Sequence, residues 1–179
     1  SVDEAHQCAL DPSGDIYMSG TTELTTSTVI ASTGGVHQNA FGGGFNDAFL
    51  VRFSSNGLRV WGTYYGGSGI DFGSSCIADA NFVYMAGTTS STNNIASGGS
   101  QNTFGGNLYD AYLVKFNTSN GARVWGTFYG GNALDQAFGC ALDGSGNVYM
   151  CGATSTSVTN VIATAASHQS VGATAGDDD

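Results

Sequence analysis

The stretch RVWGTYYGG at residues 59–67 returns 64 positions later as RVWGTFYGG at residues 123–131, and the two copies hold both tryptophans of the chain, Trp61 and Trp125. Self-similarity at a long, steady spacing marks a repeat architecture and governs how every local pattern is read. Aligned on this phrase, Asp3, Asp71 and Asp135 correspond, each five residues before Cys8, Cys76 and Cys140. DIYMSGTT (15–22), FVYMAGTTS (82–90) and NVYMCGATS (147–155) bring Tyr17, Tyr84 and Tyr149 together. HQNAFGGGFNDAFLVRF (37–53) matches SQNTFGGNLYDAYLVKF (100–116), and HQSVGATAGDD (168–178) opens a third copy. The period is 63 to 68 residues, so the 179-residue chain carries about two and three-quarter copies: 1–67, 68–131 and a partial 132–179.

Composition narrows what such a repeat can be. With 41% hydrophobic and 11% aromatic residues there is enough apolar material for a core, and 28 glycines with many Ser, Thr and Asn fit short strands joined by turns. Four Lys plus Arg against 14 Asp plus Glu, a net charge of −10, argue against nucleic acid or an anionic membrane as partner. Both need cationic patches. No apolar run approaches the length of a membrane-spanning helix, so no membrane insertion is expected. An acidic, hydroxyl-rich surface suits a secreted or cell-surface setting, and a start at Ser1 leads us to expect a processed or excerpted segment.

Each copy reads as two hairpins. CALD and IYMSGTT flank DPSGD, and CALD and VYMCG flank DGSGN; DAFLVRF and LRVWGTYY flank SSNG, and DAYLVKF and ARVWGTFY flank NTSNG. Asn-Gly is a strong hairpin signal because both residues tolerate positive φ. No segment sustains a helical period with caps, so the expected class is all-β. Four antiparallel strands repeated in this way make the blade of a β-propeller. RVWGT(Y/F)YGG then supplies a blade's outer strand and the glycine step into the next. The long stretch between the hairpins ends in QNAFGGG or QNTFGG, whose Phe41 and Phe104 plug the side of the blade, while its variable part is where a binding surface would be drawn.

Taken together, the phrases D-x(4)-C-A-L-D, Y-M-x-G, Q-N-x-F-G-G, D-A-[FY]-L-V-[RK]-F and R-V-W-G-T-[YF]-Y-G-G resemble the SBBP-type β-propeller repeat of large secreted and cell-surface proteins. The resemblance spans essentially the whole chain and implies a fold; the family is a repeat module with no common catalytic set to carry over. Cysteine in the first strand and the long Ser/Thr loops depart from its pattern. Propellers close with four to eight blades, more than this sequence supplies. The expectation is that further blades of a longer chain, or identical subunits, cover the blade faces left open.

The chemical constellations are sparse. If Leu142 pairs with Tyr149, Cys140 lies opposite Cys151, where a disulfide could form; the alternative is four small buried thiols. His6, His37 and His168 show no metal-ligand spacing. Acidic positions recur as Asp3, Asp71 and Asp135, as Asp11, Asp79 and Asp143, and as Asp47, Asp110 and Asp178. Asp beside a glycine-rich turn accepts backbone N–H bonds and fixes the loop. Calcium is the one ion that DPSGD, DGSGN or the terminal GDDD can serve, without matching a calcium-loop spacing, and no other cofactor is expected. Met18, Met85 and Met150 read as core. Asn117-Thr118-Ser119 is a glycosylation sequon in a hairpin turn.

Two functions survive, and neither is enzymatic. One is a structural or adhesive module of a secreted, cell-surface or filament-forming protein. The other is a lectin-like binder of glycans, with Trp61 and Trp125 as stacking platforms.

Overall fold

A computed structural model describes residues 2–25, 29–32 and 34–155, which contain ten β-strands and no helix. The first sheet runs β1 (Asp3–Leu10), β2 (Ile16–Thr22), β3 (Asp47–Phe53) and β4 (Arg59–Tyr65) in that spatial order, antiparallel throughout. The second repeats it with β5 (Asp71–Ala78), β6 (Phe82–Thr89), β7 (Asp110–Asn117) and β8 (Arg123–Tyr129). A third begins with the hairpin β9 (Asp135–Leu142) and β10 (Val148–Thr154). Within each sheet every strand pairs with the next in sequence and the first does not pair with the last, so neither four-stranded sheet closes on itself: β1 and β4, β5 and β8 are edges. His168, Asp178 and the GDDD terminus, which belong to the third copy, lie outside the described residues.

Alternation along the strands gives each sheet two apolar faces, and consecutive sheets pack face to face. From the first sheet Tyr17, Leu50, Trp61 and Tyr65 meet Cys76, Met85, Val114 and Phe116 of the second in one buried cluster. On the second sheet's far face Ala86, Ala111 and Leu113 meet Ala137, with Trp125, Cys140 and Met150 packed around them. β5 crosses β1, β2 and β3, and β9 crosses β5, β6 and β7, so one packing arrangement is built twice. Burial of each large side chain in these layers stabilises by on the order of 2–3 kcal/mol. The first sheet's outer face is covered in part by its own long connection, with Ile30, Ala31 and Phe41 lying on Phe49, Val51 and Tyr64.

The turns fix the register, and the register corrects one expectation. Asp143 closes its turn by accepting Ser145 and Asn147 N–H at 2.8 Å each, with its own amide donating to Asn147 O. That places Leu142 opposite Val148 rather than Tyr149. Cys140 therefore faces Met150, Cys151 faces Gly139 on the opposite side of the hairpin, and the Cys140–Cys151 disulfide is not formed. The same register holds in every copy: Cys8 faces Met18 and Cys76 faces Met85. A bulge recurs in each first hairpin, at Ala5/Gln7, Gly73/Ser75 and Cys151/Gly152, and locally sharpens the twist.

Candidate functional site

The repeated phrases converge on the junctions between sheets, and each junction has two ends. At one end the β7–β8 turn of the second sheet caps the last strand of the first. Trp61 Nε1 donates to Thr118 O at 2.7 Å, and the Arg52 guanidinium donates to the same carbonyl at 2.6 Å. Arg52 also pairs with Asp15 at 2.5 Å and stacks over Tyr17, whose hydroxyl donates to Asp11 at 3.1 Å. Gly121 in this turn has φ 70°, and a Cβ there would stand 2.9 Å from the Trp61 ring, so the turn needs glycine for conformation and space alike. In the second sheet Lys115 takes the place of Arg52, with its ammonium 3.6 Å from the Phe82 ring centroid, and Trp125 stacks near Tyr84 at 6.2 Å.

At the other end the QN-x-FGG phrase finds its partners. The Gln38 backbone N–H donates to Thr63 Oγ1 and its carbonyl accepts the Thr63 hydroxyl, while its side chain accepts Gly66 N–H at 3.2 Å and donates to Asp47 Oδ2 at 3.3 Å. Gln101 does the same with Thr127, Gly130 and Asp110. Phe41 meets Tyr64 edge-on at 6.1 Å and Phe104 meets Phe128 at 5.8 Å, so both plug the side of their sheet. Asp47 Oδ2 accepts Gly42 N–H at 2.6 Å, and Asp110 Oδ2 accepts Gly105 N–H at 2.7 Å. Asp71 accepts Gly67 N–H at 2.9 Å, Ser91 Oγ–H at 2.8 Å and the Thr89 hydroxyl. Asp135 accepts Gly131 N–H at 2.8 Å and the Thr154 hydroxyl, while Asp3 holds Thr22 in the same way. Burial pushes the carboxyl of Asp47 up to about 7, that of Asp110 to about 6, and that of Asp71 upward.

The remaining candidates separate. Asp11 and Asp79 accept the N–H groups of their own turns, Ser13 and Asp15 in one and Asn81 and Phe82 in the other, as Asp143 does. Hydrogen bonds from Asn147, Ser145 and Tyr149 hold Asp143 down near 2. His6 reaches Gly73 O, whereas His37 lies between Tyr65 and Phe116. Burial raises the Cys76 thiol to about 11 and lifts Cys140 as well, which leaves both as protonated core groups. Asn117 ends β7 half-buried, and Thr118 is buried in the junction, so the sequon does not sit at an open turn tip. Trp61 is 3% exposed and Trp125 packs toward the third sheet, so neither indole is an open platform for a sugar. Among the described residues no three His, Cys, Asp or Glu side chains converge as a metal site requires. What a reading by neighbours in sequence misses is that these carboxylates come together in pairs at the junctions. Their signal is the fixed nine-residue step from Gln38 to Asp47 and from Gln101 to Asp110. No model of a known protein family matches the chain, and no curated protein matches it.

Proposed function

We propose that the chain is a non-catalytic structural or adhesive repeat module, a run of β-propeller blades from a secreted, cell-surface or filament-forming protein, whose task is to stack on further sheets of its own kind. One observation carries this reading: the same junction occurs twice, and the outer faces of the described sheets carry halves of it. Leu10, at 64% exposure, and half-buried Met18 and Phe53 occupy the positions that Ala78, Met85 and Phe116 fill against the neighbouring sheet in the second copy. At the other end Tyr149, 57% exposed, repeats Tyr17 and Tyr84, which are buried. Apolar sheet faces of this kind mark interaction surfaces. The network of Gln38, Asp47, Thr63 and Gly66 repeats nearly residue for residue, as scaffold does and as a single active centre does not. Light scattering of the folded material is the test. Particles of several 18.2 kDa chains, or a longer native chain carrying more copies, are the expected results. A chain of this mass that stays monomeric at high concentration overturns the stacking role.

A further inference from the structure

We propose that each of the two sheet junctions holds one shared proton between a pair of buried carboxyl groups, Asp47 with Asp71 and Asp110 with Asp135, so that the sheets are held together more firmly at mildly acidic than at alkaline pH. The geometry is the same at both places. Asp47, Asp71 and Asp110 are 0% exposed and Asp135 is 1% exposed. Among the described residues no donor reaches Asp47 Oδ1 or Asp110 Oδ1. Asp47 Oδ1 and Asp71 Oδ2 lie on one side of Gly66, 2.5 and 2.7 Å from where its Cβ would stand. Asp110 Oδ1 and Asp135 Oδ2 lie in the same way about Gly130, at 2.6 and 2.9 Å. The orphaned oxygen is thus the one that shares the space beside the glycine with an oxygen of the second carboxylate.

Two ionised carboxylates so placed repel one another, and the orphaned oxygen forfeits its hydration with nothing in return. One proton taken from solvent removes both costs. It converts the orphaned acceptor into an O–H donor aimed at the neighbouring carboxylate. The donors already described decide where it sits. Asp71 has an amide and two hydroxyls to stabilise its anion, whereas Asp47 has an amide and a long contact from Gln38. Asp47, and by the same pattern Asp110, is the acid of its pair, and the titration belongs to the pair. The raised carboxyl groups of Asp47, Asp71 and Asp110 agree. The charged neighbour bearing on Asp47 is Asp71, and on Asp110 it is Asp135. Tyr65 and Tyr112, packed behind Asp71, have their phenols pushed up and stay neutral; Arg123 bears on Tyr65, and Cys140 on Tyr112. A calcium ion needs six to eight oxygens, and a wholly buried pair with three of its four oxygens already bonded does not offer them.

The sign follows from linkage. A carboxyl raised in the folded state binds its proton more tightly there, so its contribution is complete below the ordinary Asp value near 3.8 and is lost as pH rises through about 6 to 7. His37 titrates in the opposite sense, so the readout is the difference between wild type and variant. In the double variant Asp47→Asn, Asp110→Asn each amide donates where the proposed O–H does. Thermal melts from about pH 5 to about pH 8 should show wild type losing roughly 5 °C or more relative to this variant. Parallel profiles overturn the proposal. So does a calcium-dependent rise in the wild-type melting temperature at pH 8 that the variant lacks, because that result makes the pairs a metal site. If the variant does not fold, the wild type still decides: a protonated-carboxyl C=O band in its infrared spectrum near pH 6.5 is expected, and the lack of that band overturns it.

Discussion

At the scale of single residues, the junction chemistry makes some side chains answer to pH in opposite directions. His37 sits between the rings of Tyr65 and Phe116, at 5.5 and 6.1 Å, and its backbone amide donates to Gly121 O of the neighbouring sheet's turn. Burial, and after it the positive charge of Arg123, pulls its imidazole down to about 4 from an ordinary 6.5. Between those two values the unfolded chain binds a proton that the folded chain refuses, so stability falls as pH drops from about 6.5 to about 4. Replacing His37 by Gln should remove that component of acid sensitivity while leaving the melting temperature near neutral pH close to wild type. Urea denaturation across this window checks it, and an unchanged acid slope in the variant rules the assignment out. Trp61 shows a different constraint: its indole N–H and the Arg52 guanidinium share one carbonyl, Thr118 O, so a single turn position ties two strands of the first sheet to the second.

At the scale of elements, a one-residue difference in hairpin register decides which thiols meet. Cys151 lies opposite Gly139, and a Cβ at position 139 would stand 3.1 Å from its Sγ. That separation suits a disulfide, whereas Cys140 points to the other face beside Met150. Gly139→Cys is therefore expected to cross-link to Cys151 on mild oxidation, with the loss of two hydrogens seen by peptide mass spectrometry. The wild-type chain should give no Cys140–Cys151 bridge under the same treatment, and finding one would restore the register read from sequence. The strands and hairpins themselves were legible, because Asn-Gly turns and alternating patterns are local signals written twice. The register was not, because it depends on Asp143 closing its turn onto Asn147, a side-chain choice that spacing alone leaves open. The carboxyl pairs were legible only as recurring letters. Asp47 and Asp71 stand on strands of different sheets, and what joins them is the glycine step after Tyr65, where a Cβ would strike both. Trp61 and Trp125 could be read as core or as platform until the packing of consecutive sheets placed them.

At the scale of the whole molecule, the described sheets form a stack whose two outer faces are unlike. One presents Leu10, Met18 and Phe53 beside Asp3, the counterpart of Asp71 and Asp135; the other presents Tyr149 and Cys151 on the β9–β10 hairpin. If sheets stack through copies of the internal junction, the first kind of face receives the second, and contact between chains is head to tail. This leads to a prediction that simple aggregation does not share. Leu10→Glu and Tyr149→Glu each place a charge on one exposed face, and both side chains are open enough that folding is retained. Neither variant should associate with itself, since every contact between copies needs one face of each kind. Mixed in equal amounts, they still offer one intact face of each kind, so growth stops at a pair. Light scattering should give monomers for each variant alone, dimers for the mixture and larger particles for wild type. A variant that associates alone as wild type does, or a mixture that stays monomeric, means that the two ends do not recognise one another.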